Sequence, residues 1–497
     1  MLPTLRAKSA ERFAVYKTGI ICYHSSLLCK GDTEMEEASG NRLTMFETET
    51  IGALLLRFSV PCIISMVVNS IYNIVDQIFI GWGVGYLGNA ATNVCFPLVT
   101  ISMSISTLIA DGCVAYFSLK LGEKRYDEAA YTMGNGTSAA LVLGLLMLAM
   151  AELFMTPILH FFGSTESVFP YALSYGRITM VGVPLVCVSM TVSSLIRAEG
   201  NPRYAMICML SGCIANVFLD AWFVLGLKWG VAGAAWATVI GQALNCALAL
   251  IYIPKFRDIK FKPVNMLPRW HVLGSFLPLG ISSFFTQIAF AVVQICMNNM
   301  LVKCGAASIY GSDIPMAAFG IVMKVNSIIV GIMVGLGIGS QPIVGYNYGA
   351  GNYVRVIKTY QRTILAGSVV AVLGWICFQL FPGTIVGFFG QESEIYNQFA
   401  VMCFRRFLCT VFLLGLIIPT GIFFQSIGKP VKAMLSTMSR SLLFFIPALY
   451  ILGSTRGMDG ILWAGPVSDV CAFILVGTLA FREVRRITAM EKPAAVS

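Results

Sequence analysis

The chain has 497 residues, of which 57% are hydrophobic and only 12% charged. That charge content is about half of what soluble domains carry, and a mean hydropathy of +0.78 leaves too little polar surface to cover a water-soluble fold. The 34 Lys and Arg against 24 Asp and Glu give +10. These bases sit in short loops between apolar runs, which argues for orientation in a bilayer and against a nucleic-acid partner.

Residues 1–48 are polar and mixed in charge, with one apolar patch at 20–22 that is too short for a signal-peptide core. They are expected to be a disordered cytoplasmic tail, and Met35 or Met45 would start the chain closer to the first apolar run. Twelve apolar segments follow, at 51–80, 89–117, 130–152, 168–197, 203–224, 231–253, 272–302, 316–347, 355–381, 399–427, 431–453 and 459–480. Each approaches or exceeds the ~20 residues that span a bilayer as a helix. The 15 Cys form no C-x-x-C pair, and His24, His160 and His271 are far apart. Neither structural zinc nor a disulfide framework is expected, and the thiols read as small packing residues.

Loop charge sets the orientation. Loops after even-numbered segments, with the C-terminal tail, hold 20 Lys and Arg, Arg440 among them. Loops after odd-numbered segments hold three, Lys228, Lys303 and Arg456. The positive-inside rule then places both termini in the cytoplasm.

The chain repeats itself. Gly200, Pro202, Ala205 and Met206 recur as Gly428, Pro430, Ala433 and Met434 at an offset of 228. Gly122 and Tyr126 recur as Gly349 and Tyr353 at 227, as do Gly233, Trp236 and Ala237 in Gly460, Trp463 and Ala464. Pro61 matches Pro278 at 217. The expected fold is therefore all-α and polytopic, with 12 transmembrane helices in two six-helix lobes related by a parallel pseudo-two-fold repeat. The lobes are 49–253 and 272–482, joined by a basic linker, 254–271, and followed by a cytoplasmic tail, 483–497. Transporters built this way bind substrate between the halves and rock them to alternate access.

Ionisable residues inside apolar segments are costly and mark function by default. Asp76 ends the first segment and Asp220 the fifth, both in the outer part of the membrane. Asn216 shares a helix face with Asp220, and Thr238 lies at similar depth on the sixth segment. Four oxygen-bearing side chains can converge there, a set suited to a proton or a small hard cation. The alternative is that each Asp only bonds nearby backbone or amide groups. At the repeat offsets the second half has Val293, Phe444 and Ala448 in place of Asp76, Asn216 and Asp220, so ion coupling belongs to the first half.

Lys324 reads as a counter-charge, a gate element or a second coupling group, or as a side chain snorkelling to an interface. Gln287, Gln294, Asn298 and Asn299 follow near-helical spacing and face either an inter-lobe cavity or neighbouring helices. Asp111, Asp469, Arg405 and Arg406 receive no role. Pro61 kinks the first helix, either statically or as a hinge coupled to Asp76. Gly83-Val-Gly85-Tyr-Leu-Gly88 follows no strand and is not a dinucleotide loop. The chain contains no Walker A motif.

The runs Tyr72-Asn-Ile-Val-Asp76, Arg197-Ala-Glu-Gly-Asn-Pro202-Arg203, Asn216-x-x-x-Asp220, Gly230-Val-Ala-Gly-Ala-Ala235 and Gln341-Pro-Ile-Val-Gly-Tyr-Asn-Tyr-Gly349 together resemble the MATE (multidrug and toxic compound extrusion) family. The resemblance covers about residues 50–485. It implies two lobes around a V-shaped cavity and cation-driven export of organic, often cationic, compounds. It also implies cation-site roles for Asp76, Asn216, Asp220 and Thr238 and a helix-1 bend at Pro61. An acidic site on helices 7, 8 and 10, used by some relatives, has no clear acids here.

The expectation is a monomeric inner-membrane antiporter that exchanges a small organic substrate for H⁺ or Na⁺. It would need no cofactor and no ATPase subunit, and it would not be an enzyme. A lipid-linked oligosaccharide flippase is the alternative within the superfamily. A receptor or intramembrane enzyme is the alternative outside it.

Overall fold

The computed structural model describes residues 43–84, 86–162, 164–256, 259, 261–311, 313–387 and 394–491. Most of the expected tails, 1–42 and 492–497, lies outside the described residues, as do Arg257, Lys260 and Lys492 of the loop charges. Residues 1–48 form a unit apart from 49–497. Within that first unit Thr44–Thr48 is a helical turn, where disorder was expected.

A bilayer offers no water to peptide groups, so a helix is the open-chain structure that satisfies them within one segment. The described residues form helices and no strands. In chain order the long ones are α1 (Ile51–Val84), α2 (Tyr86–Gly122), α3 (Tyr126–Phe161), α4 (Phe169–Ala198), α5 (Pro202–Asp220), α6 (Gly230–Tyr252), α7 (Trp270–Ala306), α8 (Asp313–Gly349) and α9 (Tyr353–Leu380). A tenth, α10, is a pair, Glu394–Phe407 and Val411–Ser426, bent by 41° at its break. The remaining helical run, Pro430–Glu491, has 62 residues, enough for two crossings of about 20 residues each. It turns at Gly457, whose φ of 60° and ψ of −135° are not helical. A Cβ on Gly460 would lie 1.9 Å from the Leu452 carbonyl, whereas eight residues of straight helix rise about 12 Å. We call these spans α11 (430–456) and α12 (458–491). The chain is a multi-pass membrane protein of 12 helices in two lobes, α1–α6 and α7–α12.

Three sequence expectations change. The continuous segment at 399–427 is broken at 408–410, where Thr410 Oγ1 donates to Asp469 Oδ2 at 2.8 Å and Gln379 Nε2 donates to Arg405 O at 3.2 Å. Side chains thus engage groups beside the break. Arg440 is not a loop charge, because it sits in a π turn of α11 (Ser439–Phe445) paired with buried Asp469. Finally, α12 runs on to Glu491 instead of giving way to a tail at 482.

The linker between the lobes is strapped to α3. Asn135 Nδ2 donates to Asn265 O at 3.0 Å and to Leu267 O at 3.1 Å, while Arg269 N donates to Asn135 Oδ1 at 2.6 Å. The lobes themselves meet through α2 with α7 and α8, and through α1 with α8. These contacts are backbone-close where the helices approach the basic loops. A Cβ on Gly280 of α7 would sit 1.7 Å from Leu108 O of α2, and one on Gly122 2.0 Å from Tyr346 O. Toward the other end α1 and α8 part. A Cβ on Gly331 would lie 3.8 Å from Met66 and Ser70 of α1, and one on Gly320 would meet nothing within 4 Å. The bundle is therefore joined at its basic end and loosens toward the opposite one.

Candidate functional site

Three helices of the first lobe carry the candidate residues. Helix α1 brings Asp76, two turns before its end, and packs against α5. Asp220 is the last α-helical residue of α5, which then widens into a π turn, Ala221–Gly226. Such widened turns re-aim the groups beside them and recur at functional sites. Asn216 lies one turn earlier on the same face. Helix α6 crosses α5 closely enough that Gly212 and Gly241 face each other backbone to backbone, which brings Thr238 to Asn216.

The resulting geometry is compact. Asn216 Nδ2 donates to Thr238 Oγ1 at 3.2 Å. The Asp76 and Asp220 carboxyls approach within side-chain hydrogen-bonding reach of each other. Asn216 is 2% exposed and Asp220 0%. Asp76 Oδ1 is buried and meets no hydrogen-bond partner among the described residues. All four sequence-selected residues come together in one lobe. A hydrogen bond between two carboxyls requires a proton on one of them, and two carboxylates would instead need a cation between them. The arrangement can thus hold either a proton or a small hard ion, with hydroxyl and amide oxygens beside it.

Two further residues stand at this site. Tyr72 neighbours both carboxyls, and Tyr175 of α4 neighbours Asp76 and Tyr72. Tyr72 was legible in principle, because it precedes Asp76 by four residues and so shares its face. Tyr175 carries no such signal, since only the packing of α4 brings it near.

The other selected residues fall elsewhere. Pro61 is buried in α1, which runs through it as one helix, and Ser65 Oγ donates to Pro61 O at 2.9 Å. Gln287 and Gln294 lie on α7, where Gln294 Nε2 reaches Asn298 Oδ1 at 3.3 Å. Lys324 is exposed on α8. Asp111 of α2 joins the lobes, accepting from Ser283 Oγ of α7 at 2.6 Å, and Gln425 Nε2 of α10 donates to the same serine at 3.2 Å. Arg406 pairs with Asp459.

Comparison with known proteins decides the family. The MatE profile matches residues 61–222 and 283–451. The chain belongs to the MatE family. It is 26% identical over 440 residues to the multidrug export protein MepA of Staphylococcus haemolyticus, covering 87% of this chain and 94% of that protein. Among solved structures, the MATE multidrug transporter DinF-BH in complex with R6G superposes with a TM-score of 0.81 at 33% identity, covering 88% of this chain and 96% of that one. A MATE protein in complex with MaD3S gives 0.83 at 20% identity, over 90% and 99% of the two chains, and supports the fold alone. Both blocks of the family match fall within the two lobes, one in each.

Proposed function

We propose that this MATE protein is a secondary antiporter that exports organic, often cationic, compounds in exchange for H⁺ or Na⁺ by alternating access. The observation that carries this reading is the carboxyl pair Asp76 and Asp220 beside the Asn216–Thr238 bond, present in one lobe and replaced by apolar residues at the repeat positions of the other. Relatives named as multidrug exporters, and the solved multidrug transporter in complex with R6G, support the substrate class.

The proposed cycle uses the two-lobe geometry. The termini and basic loops face the cytoplasm of a cell that carries the protein in its inner membrane. Contact at the basic end then corresponds to a state open to the outside. An ion entering from there binds at Asp76 and Asp220 and displaces substrate or favours the inward switch, with Pro61 as the hinge of α1. The opened basic end then admits substrate from the cytosol. One charge crossing 100 mV supplies about 2.3 kcal/mol, enough to sustain roughly a 50-fold substrate gradient.

The test is efflux of a cationic dye from cells or inverted vesicles, with Na⁺ and pH gradients imposed separately. Asp76→Asn and Asp220→Asn should each abolish gradient-driven efflux at unchanged expression. Normal pumping by both variants would overturn the reading.

A further inference from the structure

We propose that the cleft between the lobes recognises an anionic group on the exported compound, a carboxylate, sulfonate or phosphate, and that Lys324 of α8 is the residue that reads it. This rests on the export reading and narrows it: the preferred compound is a zwitterion or an organic anion.

Three glycines fix the face that α8 turns to α1. A Cβ on Gly339 would lie 2.5 Å from Ser59, one on Gly335 2.8 Å from Ile63, and one on Gly331 3.8 Å from Met66 and Ser70. Lys324 precedes Gly331 by seven residues and Gly335 by eleven, which puts it within about 20° of both on a helix of 3.6 residues per turn. The other sides of α8 are occupied. Gly337 meets Ile422 of α10, and Ile329 meets Gly374 of α9. Lys324 therefore looks across at the first lobe, about 16 Å farther from the basic end than Gly335. It is exposed because the helices have parted at that level, as the open space at Gly320 on the same face shows.

The walls around it are polar and neutral. On α1, Gln77 follows Ser70 by seven residues, shares its face and is exposed. On α7, the face turned to the first lobe is marked by Gly280 against Leu108 and by Ser283 against Asp111. Gln287, Gln294 and Asn298 continue that face, each within about 40° of Gly280. No Asp or Glu occurs in 270–306 or 314–349. In the first lobe, Asp111 is engaged by Ser283 at the seam. Asp76 precedes Gln77 by one residue, so it points about 100° away from it, to Asp220 of α5.

An ammonium within an apolar span is kept where water or an anion meets it. An organic cation entering this cleft meets a like charge and neutral amides. A compound with a carboxylate gains an ion pair, and the amides of α1 and α7 orient the rest of it by hydrogen bonds. Lysine suits a site that accepts varied anions, because its compact charge rides on a flexible stem and imposes no fixed fork.

Fluorescence anisotropy on the purified full-length protein compares a rhodamine bearing a free carboxylate with the same dye as its methyl ester. The wild type should bind the acid about five-fold more tightly, as befits a pair that water still reaches. Lys324→Gln should erase the preference, Lys324→Arg should keep it, and Lys324→Glu should turn it toward the ester. A wild type that binds the two dyes alike, or an acid preference that survives in Lys324→Gln, overturns the proposal. Added phosphatidylglycerol separates a soluble anion from a lipid headgroup. The acid preference should persist in its presence, and loss of that preference would assign Lys324 to lipid phosphate and overturn the substrate reading. A wild type that binds the acid selectively yet exports neither dye from proteoliposomes, under an imposed Na⁺ or pH gradient, overturns the antiport reading while the anion subsite stands.

Discussion

At the scale of single residues, the site depends on a few polar contacts inside an apolar lobe. The Asn216–Thr238 bond fixes the amide so that its oxygen can face Asp220 one turn away. Removing the threonine hydroxyl leaves a buried amide donor without its acceptor, worth about 1 kcal/mol. Thr238→Ala should therefore raise the ion concentration for half-maximal dye efflux about five-fold, and Thr238→Ser should restore it. Titrating Na⁺ and H⁺ separately in proteoliposomes checks this. The sequence exposed these four residues because ionisable and amide side chains stand out against aliphatic neighbours. It did not expose Tyr175, because a tyrosine in an apolar run reads as packing until α4 is laid beside α1.

At the scale of elements, two helices depart from regular geometry where charge is buried. Helix α10 breaks beside Thr410, and α11 widens to a π turn around Arg440. Both irregular stretches put a side chain on Asp469. A buried ion pair is weak evidence of net stability, but breaking it strands a charge, which costs about 3–5 kcal/mol when burial is complete. The Arg440 side chain is 33% exposed against 3% for Asp469, so the penalty falls below that range and lands on the aspartate. Arg440→Leu should lower the thermal midpoint of the detergent-purified protein by several degrees, and adding Asp469→Leu should recover most of the loss. A single variant as stable as wild type would show that the pair does not hold α11 to α12. Hydropathy placed α11 within a few residues, but charge counting assigned Arg440 to a loop. Periodicity reports where a helix lies and not which charge meets its partner inside it.

At the scale of the whole molecule, the lobes are held together on one side. Leu108 and Gly280 touch through their backbones, and Asp111 and Ser283 bond across the same seam. A side chain at Gly280 has no room, and overpacking of this kind costs about 1–3 kcal/mol. Gly280→Val should push the lobes apart at the basic end and move the population toward the opposite opening by roughly five- to 150-fold. Ser283→Ala should act in the same direction with about 1 kcal/mol. Distances between spin labels on the loops after α2 and α8 measure both. Unchanged distances in Gly280→Val would show that this seam does not set the conformation.

The sequence by itself determined the membrane class, nearly all the spans, the two-lobe repeat and the four polar residues of the first lobe. Each of these follows from local hydropathy or from a fixed spacing, which a linear chain records directly. Only the tertiary structure decided that Asp469 answers Arg440, that Asp111 ties one lobe to the other, and that Tyr72 and Tyr175 stand at the carboxyl pair. Those facts depend on how helices distant in the chain rotate and cross. In a bundle of uniformly apolar helices, periodicity leaves that rotation open until packing fixes it.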